Sequence, residues 1–133
     1  MRTLGAMDAD ELSRTAEAYV KRYAERVVVD KDNVFTEQDI NWWAEEQFQK
    51  LAHDDPETLW LLIQRVLQLT EKPDVLGILA AGPLEDLINF HGAAFIERIE
   101  RKAASDAAFR ELLWGVWRSS TPDIWARVEA ARA

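Results

Sequence analysis

The feature that most constrains the fold is a series of helix-start signals, each followed by apolar residues at three- and four-residue spacing. Asp8 and Glu11 have the spacing of a capping box, and the residues that follow repeat with a helical period. Further helices are expected to begin near residues 37, 56, 74, 83, 93, 107 and 122. The sequence therefore predicts an all-α fold, a compact stack of seven or eight mostly short helices that resembles a helical-repeat protein.

Several of these starts have a specific chemical signature. Thr36 with Asp39 resembles a capping box, and Phe35 and Ile40 occupy the two positions of a hydrophobic staple across it. Proline is favoured at the first position of a helix, because a backbone N–H at that position would have no hydrogen-bond partner within the helix. The pairs at 55–56 and 121–122 place proline there, and Asp106 is expected to cap another helix.

Two glycines are predicted to end helices. Gly82 precedes Pro83, so we expect one helix to end at Gly82 in a left-handed conformation and the next to begin at Pro83. Gly92 is expected to end that next helix, with a further helix following from residue 93.

One short segment favours a strand instead. Residues 27–29 are three consecutive valines, and they precede the turn-forming run Asp30-Lys31-Asp32-Asn33. A hairpin that pairs these valines with residues 34–35 is the alternative left open within the otherwise helical prediction.

Composition predicts a single domain over residues 1–133, with residues 1–7 as a poorly ordered arm. The chain is 48% hydrophobic, which is enough for a core without disulfides, and it contains no cysteine. No apolar run reaches the ~18 residues that span a bilayer, and the first residues lack the pattern of a secretory signal. We therefore expect a cytoplasmic location without membrane association.

The charge is strongly acidic and unevenly distributed. The chain has 16 basic and 24 acidic side chains, a net charge of −8, which argues against nucleic acid as a partner. Residues 36–64 carry one lysine against seven acidic residues, and so contribute six of the eight net negative charges. The members of this acidic window are Lys50 and Glu37, Asp39, Glu45, Glu46, Asp54, Asp55 and Glu57. Such segregation indicates a surface for association with a basic partner.

Within the acidic window, Trp42 stands out. At 100° per residue the apolar residues of its helix share one arc, and Trp42 points away from that arc, between Glu45, Glu46 and Gln49. One interpretation is that another helix, such as the N-terminal one, covers this side. The other is an aromatic anchor ringed by acids, which suits a hot spot for a basic protein.

The other five tryptophans are predicted to be structural. Trp43, Trp117 and Trp125 lie on or beside apolar stripes and are expected in the core. Trp60 and Trp114 lie at the edges of stripes, where two layers would contact them.

Catalytic motifs are absent from the sequence, which lacks a phosphate-binding glycine loop, a nucleophile elbow, an H-E-x-x-H pair and any cysteine nucleophile. We therefore predict no enzyme activity, no cofactor and no metal site. His53 and His91 both lie near helix ends, where an imidazolium interacts favourably with carbonyl groups. The alternative to that structural role is an acid–base pocket in which His91 approaches one of three carboxylates, Glu85, Asp86 or Glu97.

A composite motif lies in the second half of the chain. It consists of LAAGPLEDLI at 79–88, HG at 91–92, FIERIE at 95–100, FRELL at 109–113 and GVW at 115–117. This motif resembles a family of small, mostly bacterial proteins described only as a domain of unknown function. The resemblance implies an all-helical bacterial domain, and it implies no activity, ligand or catalytic residue.

Three hypotheses for function follow. The leading one is a non-enzymatic protein-binding module, for example an immunity-type protein that blocks a basic toxin. The second is a small-molecule-binding or catalytic domain centred on His91. The third is a homodimer that uses the tryptophan-rich C-terminal helices as its interface.

Overall fold

The computed structural model describes residues 7–24 and 41–133, and this part of the chain contains helices and no strand. The helices are α1 (Ala9–Ala24), α2 (Trp42–Asp54), α3 (Pro56–Leu69), α4 (Pro73–Leu79), α5 (Glu85–Ser105), α6 (Ala107–Leu112) and α7 (Pro122–Arg132). A π turn over Ala80–Leu84 joins α4 to α5, and a 3-10 turn over Leu113–Gly115 follows α6. The all-α prediction is confirmed. Because α4 continues through the π turn into α5, residues 7–24 and 41–133 contain six helices when joined segments are counted together, close to the seven or eight predicted for the whole chain.

Three N-caps are formed by aspartate side chains, and two of them, Asp8 and Asp106, are predicted from the sequence. The backbone N–H of Glu11 donates to Asp8 at 2.8 Å, and the N–H of Thr58 donates to Asp55 at 3.2 Å. Asp106 accepts from two N–H groups in the first turn of α6, at 3.0 and 3.2 Å. Proline stands at the first position of α3, α4 and α7, as the sequence predicts for α3 and α7.

The prediction that Gly82 ends one helix and Pro83 begins another is wrong. Gly82 does not adopt a left-handed conformation, and both residues lie within the π turn. A proline inside a regular α-helix would lose one backbone hydrogen bond and clash with the carbonyl four residues earlier. The wider π turn changes this pairing locally, so the chain continues as a helix through the proline.

The prediction that one helix ends at Gly92 and another follows is confirmed as a kink, because two helical segments of α5 meet at His91, one residue earlier. Helix α5 continues to Ser105, and its backbone leaves helical dihedral angles only at His91, where φ is −135° and ψ is 23°. Gly92 is required for a different reason. A Cβ atom there would lie 2.9 Å from both Ile124 Cγ2 and Ser120 Oγ, so the missing side chain allows α7 to approach the kink.

Helix α1 packs mainly against α3, and α5 packs mainly against α7, while α2 and α3 both contact α5. Tyr19 of α1 stacks on Phe48 of α2 with ring centroids 4.2 Å apart, and both rings are buried. Trp60 lies at the edge of the core beside Phe95 and Phe109. The expectation of an edge position for Trp60 is therefore confirmed, and so is the burial of Trp125.

Two tryptophans expected in the core are exposed. Trp43 is 39% exposed. The buried face of α2 is centred between Ala44 and Phe48 and extends to Ala52, so Trp43 lies outside this face. Trp117 is 75% exposed. Trp117 does not continue the helical spacing of α6, because the chain becomes extended at Val116 after the 3-10 turn.

Some predictions lie outside the described residues. These are the Thr36 cap, the staple between Phe35 and Ile40, the hairpin over residues 27–35, and residues 1–6 of the N-terminal arm. Helix α2 begins at Trp42, later than the predicted start near 37. Met7 is half-buried and packs against the core.

Candidate functional site

One side of α2 is an exposed stripe made of Trp42, Glu46, Gln49 and His53, hereafter the α2 stripe. The spacing of four, three and four residues keeps these side chains within one narrow arc of the helix. Trp42, 45% exposed, lies at one end, and His53 lies three turns later at the other. Three of the four residues predicted to bind a partner are therefore together and accessible.

The fourth residue, Glu45, faces α1 instead. The hydroxyl of Tyr23 donates to Glu45 Oε2, and Arg22 Nε lies 3.8 Å from the same oxygen. Gln49 Nε2 donates to the other oxygen at 3.3 Å. The Glu45 side chain is only 16% exposed, so this carboxylate connects α2 to α1.

Helix α1 also covers one side of Trp42. The guanidinium carbon of Arg22 lies 4.7 Å from the centre of the Trp42 ring and 5.0 Å from the centre of the Tyr23 ring. Each interpretation of Trp42 is thus partly realised, because α1 packs on the flank of the indole while nearly half of the side chain stays exposed.

The four residues of the alternative pocket are distributed over several contacts. His91 Nε2 lies 2.8 Å from the carbonyl oxygen of Ala52, and since a carbonyl only accepts, Nε2 carries the proton and donates. Glu85 accepts the backbone N–H of Trp117 at 2.9 Å. Glu97 is exposed, and within the described structure no hydrogen bond joins His91 to a carboxylate.

Asp86 lies in an acidic environment where α5 meets α2. Burial raises the pKa of its carboxyl, and the negative charges of Glu85 and Glu45 raise that pKa further. The imidazole of His53 acts in the opposite direction. Asp86 has no ion pair in the described ranges, so this carboxylate would gain from a nearby cation.

A groove of about 360 Å³ lies beside the kink of α5, hereafter the α5 groove. Its lining comprises residues 89–94 together with Ser120, Thr121 and Ile124. His91 lines this groove, whereas none of the three predicted carboxylates does. At its rim the exposed Phe90 ring contacts the His53 ring with centroids 4.6 Å apart, so the groove adjoins the end of the α2 stripe.

Sequence reasoning missed this groove because its far wall comes from the 116–121 loop. Asn89 accepts the N–H of Ser120 at 3.3 Å, which ties the loop to α5. Ser120 has a φ of 68°, a left-handed conformation that is unfavourable for a residue with a side chain. Gly92 is the one sequence signal near this contact, and a glycine at that place indicates a helix end rather than a groove.

Two further features, a metal-binding cluster and a membrane-spanning helix, are absent from residues 7–24 and 41–133. These residues contain no group of three or more histidine, aspartate or glutamate side chains arranged to hold a metal ion. The same ranges contain no helix with the length and apolar character needed to cross a membrane.

Comparison with known proteins gives one match. A family model described as a family of unknown function, DUF6869, matches residues 31–133. No curated protein and no solved structure matches the chain.

Proposed function

Since the chain belongs to DUF6869, a family of unknown function, we propose from its own surface chemistry that it is a non-enzymatic protein-binding module. The observation that carries this proposal is the α2 stripe, in which Trp42 is nearly half exposed at a position with acidic neighbours. Tryptophan is enriched among the residues that dominate binding energy at protein interfaces. A cytoplasmic site of action, as expected from the sequence, belongs to the same proposal.

The way Trp42 is held supports its role as an anchor. Arg22 packs on one face of the indole, and Glu45 contacts both Arg22 and the hydroxyl of Tyr23. A side chain that is already ordered loses little conformational entropy when a partner binds. The exposed part of the ring is therefore presented in a fixed orientation.

The charges around the α2 stripe favour a basic partner. Glu46 and Asp54 are exposed on α2, and Asp86 lies beyond His53 without an ion pair in the described structure. One exposed lysine, Lys50, opposes them. A positively charged surface would meet unneutralised carboxylates here, which raises the association rate and selects against acidic partners.

An immunity-type role is the specific form that we propose. In this form the α2 stripe would cover a basic site on a toxin and so block access to it. Complementary charge would make association fast, and Trp42 would make dissociation slow. The small size and the net charge of −8 are compatible with that role.

The test is affinity capture from a lysate of the native host, at low and at high salt, followed by measurement of Kd with the purified partner. We expect a stoichiometric basic protein that is lost at high salt. Trp42→Ala should weaken binding by about 2 kcal/mol, the range of an interface hot spot, and Glu46→Lys should slow association. The matched control is Leu61→Ala, which removes an exposed apolar side chain from α3. Unchanged affinity in both stripe variants would overturn the proposal.

A further inference from the structure

Trp117 is the most exposed of the large apolar side chains in the described ranges, at 75%. Trp42 and Trp114 are each covered by an arginine, whereas no ring or cation of the described structure packs on Trp117. The loop that carries it is nevertheless held in place. Glu85 accepts the N–H of Trp117 and Asn89 accepts the N–H of Ser120, so two hydrogen bonds fix the loop to α5.

The α5 groove lies on the same face of the molecule as Trp117. Glu85, which holds Trp117, and Asn89, which borders the groove, are four residues apart and therefore about one helical turn, ~6 Å, from each other. The groove is open, and Trp117 does not fill it, because a ring inserted there would be buried. One face thus presents a protruding indole and, beside it, a cavity of about 360 Å³.

We propose that two copies of this chain form a two-fold dimer in which Trp117 of each copy occupies the α5 groove of the other. A two-fold interface uses the same patch on both subunits, so a single patch must contain both the protruding group and its receptor. This patch does. The groove is lined by the small, exposed side chains of Ala93 and Ala94, which leave room for an indole ring, and Phe90 supplies an aromatic wall.

Charge complementarity within the patch favours a second copy as the occupant. Arg118 follows Trp117, is exposed, and has no ion pair in the part of the chain that the structure describes. Asp86 lies one turn before Phe90 and is likewise without an ion pair there. When Trp117 enters the opposite groove, Arg118 is carried toward Asp86 of that copy, and the two-fold axis repeats the pair.

The salt dependence of this dimer should be opposite to that of a complex with a basic partner. Each copy carries a net charge of −8, so long-range repulsion opposes self-association and added salt screens it. We expect the dimer to strengthen with salt. The α2 stripe and the patch share the contact of His53 with Phe90 and the nearby carboxylate Asp86. The residues tested for each, Trp42 and Glu46 for the stripe and Trp117 and Ala94 for the patch, belong to one surface only. A failure of the dimer would therefore leave the proposed function standing, and a failure of the proposed function would leave the dimer standing.

The first experiment is sedimentation equilibrium of the purified full chain over a concentration series. The wild-type mass should rise from 15.3 kDa toward twice that value. Trp117→Ala should weaken dimerisation at least about 30-fold, and Ala94→Glu should do the same by blocking the groove. Leu61→Ala and Ala104→Glu are the matched controls, because both positions are exposed and lie outside the patch. A wild-type chain that stays monomeric throughout, or a Trp117→Ala chain that dimerises normally, overturns the proposal.

The second experiment tests the reciprocal contact. Trp117→Ala keeps an intact groove, and Ala94→Glu keeps an intact Trp117, so each variant alone has no complete contact. A mixture of the two can form one complete contact per heterodimer. We expect a heterodimer in the mixture, weaker than the wild-type dimer and absent from either variant alone. If both variants are folded and monomeric and the mixture is also monomeric, Trp117 does not bind in the groove.

Discussion

The guanidinium of Arg22 lies 4.7 Å from the centre of the Trp42 ring, so the acid-ringed tryptophan of α2 already binds a cation from its own chain. The same guanidinium lies close to Glu45, which in turn accepts a hydrogen bond from Tyr23. Arginine stacks readily on aromatic faces while it pairs with a carboxylate. The arrangement orders the exposed anchor of the α2 stripe and attaches α1 to α2 at the same point.

Replacing Glu45 by glutamine should separate that structural role from partner binding. The variant retains the shape of the side chain but removes the charge that pairs with Arg22, and the group is mostly buried. We expect the free energy of unfolding to fall by about 1–3 kcal/mol, measured by urea denaturation. Glu46→Gln is the control, since Glu46 is exposed, and it should change stability by less than about 0.5 kcal/mol. Equal effects of the two substitutions would contradict the role assigned to Glu45.

Stability should decrease at alkaline pH because two tyrosines titrate abnormally. Burial raises the pKa of Tyr19 far above its ordinary value, and the charge of Glu45 adds to the effect. Burial also raises the pKa of Tyr23, as does its hydrogen bond to Glu45. The unfolded chain therefore loses these protons first, from about pH 10, while the folded chain retains them. Their contribution to stability is complete below pH ~10 and is lost as the pH rises above it.

Tyr19→Phe tests this origin of the alkaline loss. The Tyr19 hydroxyl is buried and has no hydrogen-bond partner in the described structure, so its removal should raise stability by about 1 kcal/mol near neutral pH. The same variant should show a smaller loss of stability above pH ~10. Urea denaturation on both sides of that pH gives both quantities. A wild-type slope in Tyr19→Phe would show that other groups cause the alkaline loss.

Features of this fold that depend on neighbouring residues follow from the sequence, whereas features that depend on distant residues do not. Asp8 and Asp106 cap their helices as predicted, because a capping bond joins residues only two or three positions apart. The helix break next to Gly92 follows from local sequence, but the steric need for glycine there comes from Ile124, more than thirty residues away, and no local pattern encodes that approach. Glu45 was grouped with Glu46 for the same reason, since its orientation is determined by α1. Helical periodicity located the α2 stripe, whereas the α5 groove depends on the path of a loop that periodicity does not specify.

Two glycines offer a matched test of that long-range requirement. A Cβ atom at Gly92 would come within 2.9 Å of Ile124 and Ser120, so Gly92→Ala should destabilise the fold by about 1–3 kcal/mol. Gly77 lies inside α4 with open space around it, so Gly77→Ala should stabilise by about 0.5–1 kcal/mol through its higher helix propensity. Thermal denaturation of both variants measures the difference. If Gly92→Ala were as stable as the wild type, α7 could not approach the kink as closely as the structure has it.

The hydrogen bond between His91 and Ala52 predicts the protonation and the role of this imidazole. Because Nε2 donates to a backbone carbonyl, the neutral ring should be the Nε2–H tautomer, which its nitrogen chemical shifts report directly. His91→Leu leaves the carbonyl of Ala52 without that donor, so stability should fall by about 1–3 kcal/mol. His53→Leu is the control, since His53 is exposed, stacks on the Phe90 ring and makes no hydrogen bond among the described interactions. An Nδ1–H tautomer together with unchanged stability in His91→Leu would contradict a structural role, and the acid–base alternative for His91 would then be favoured.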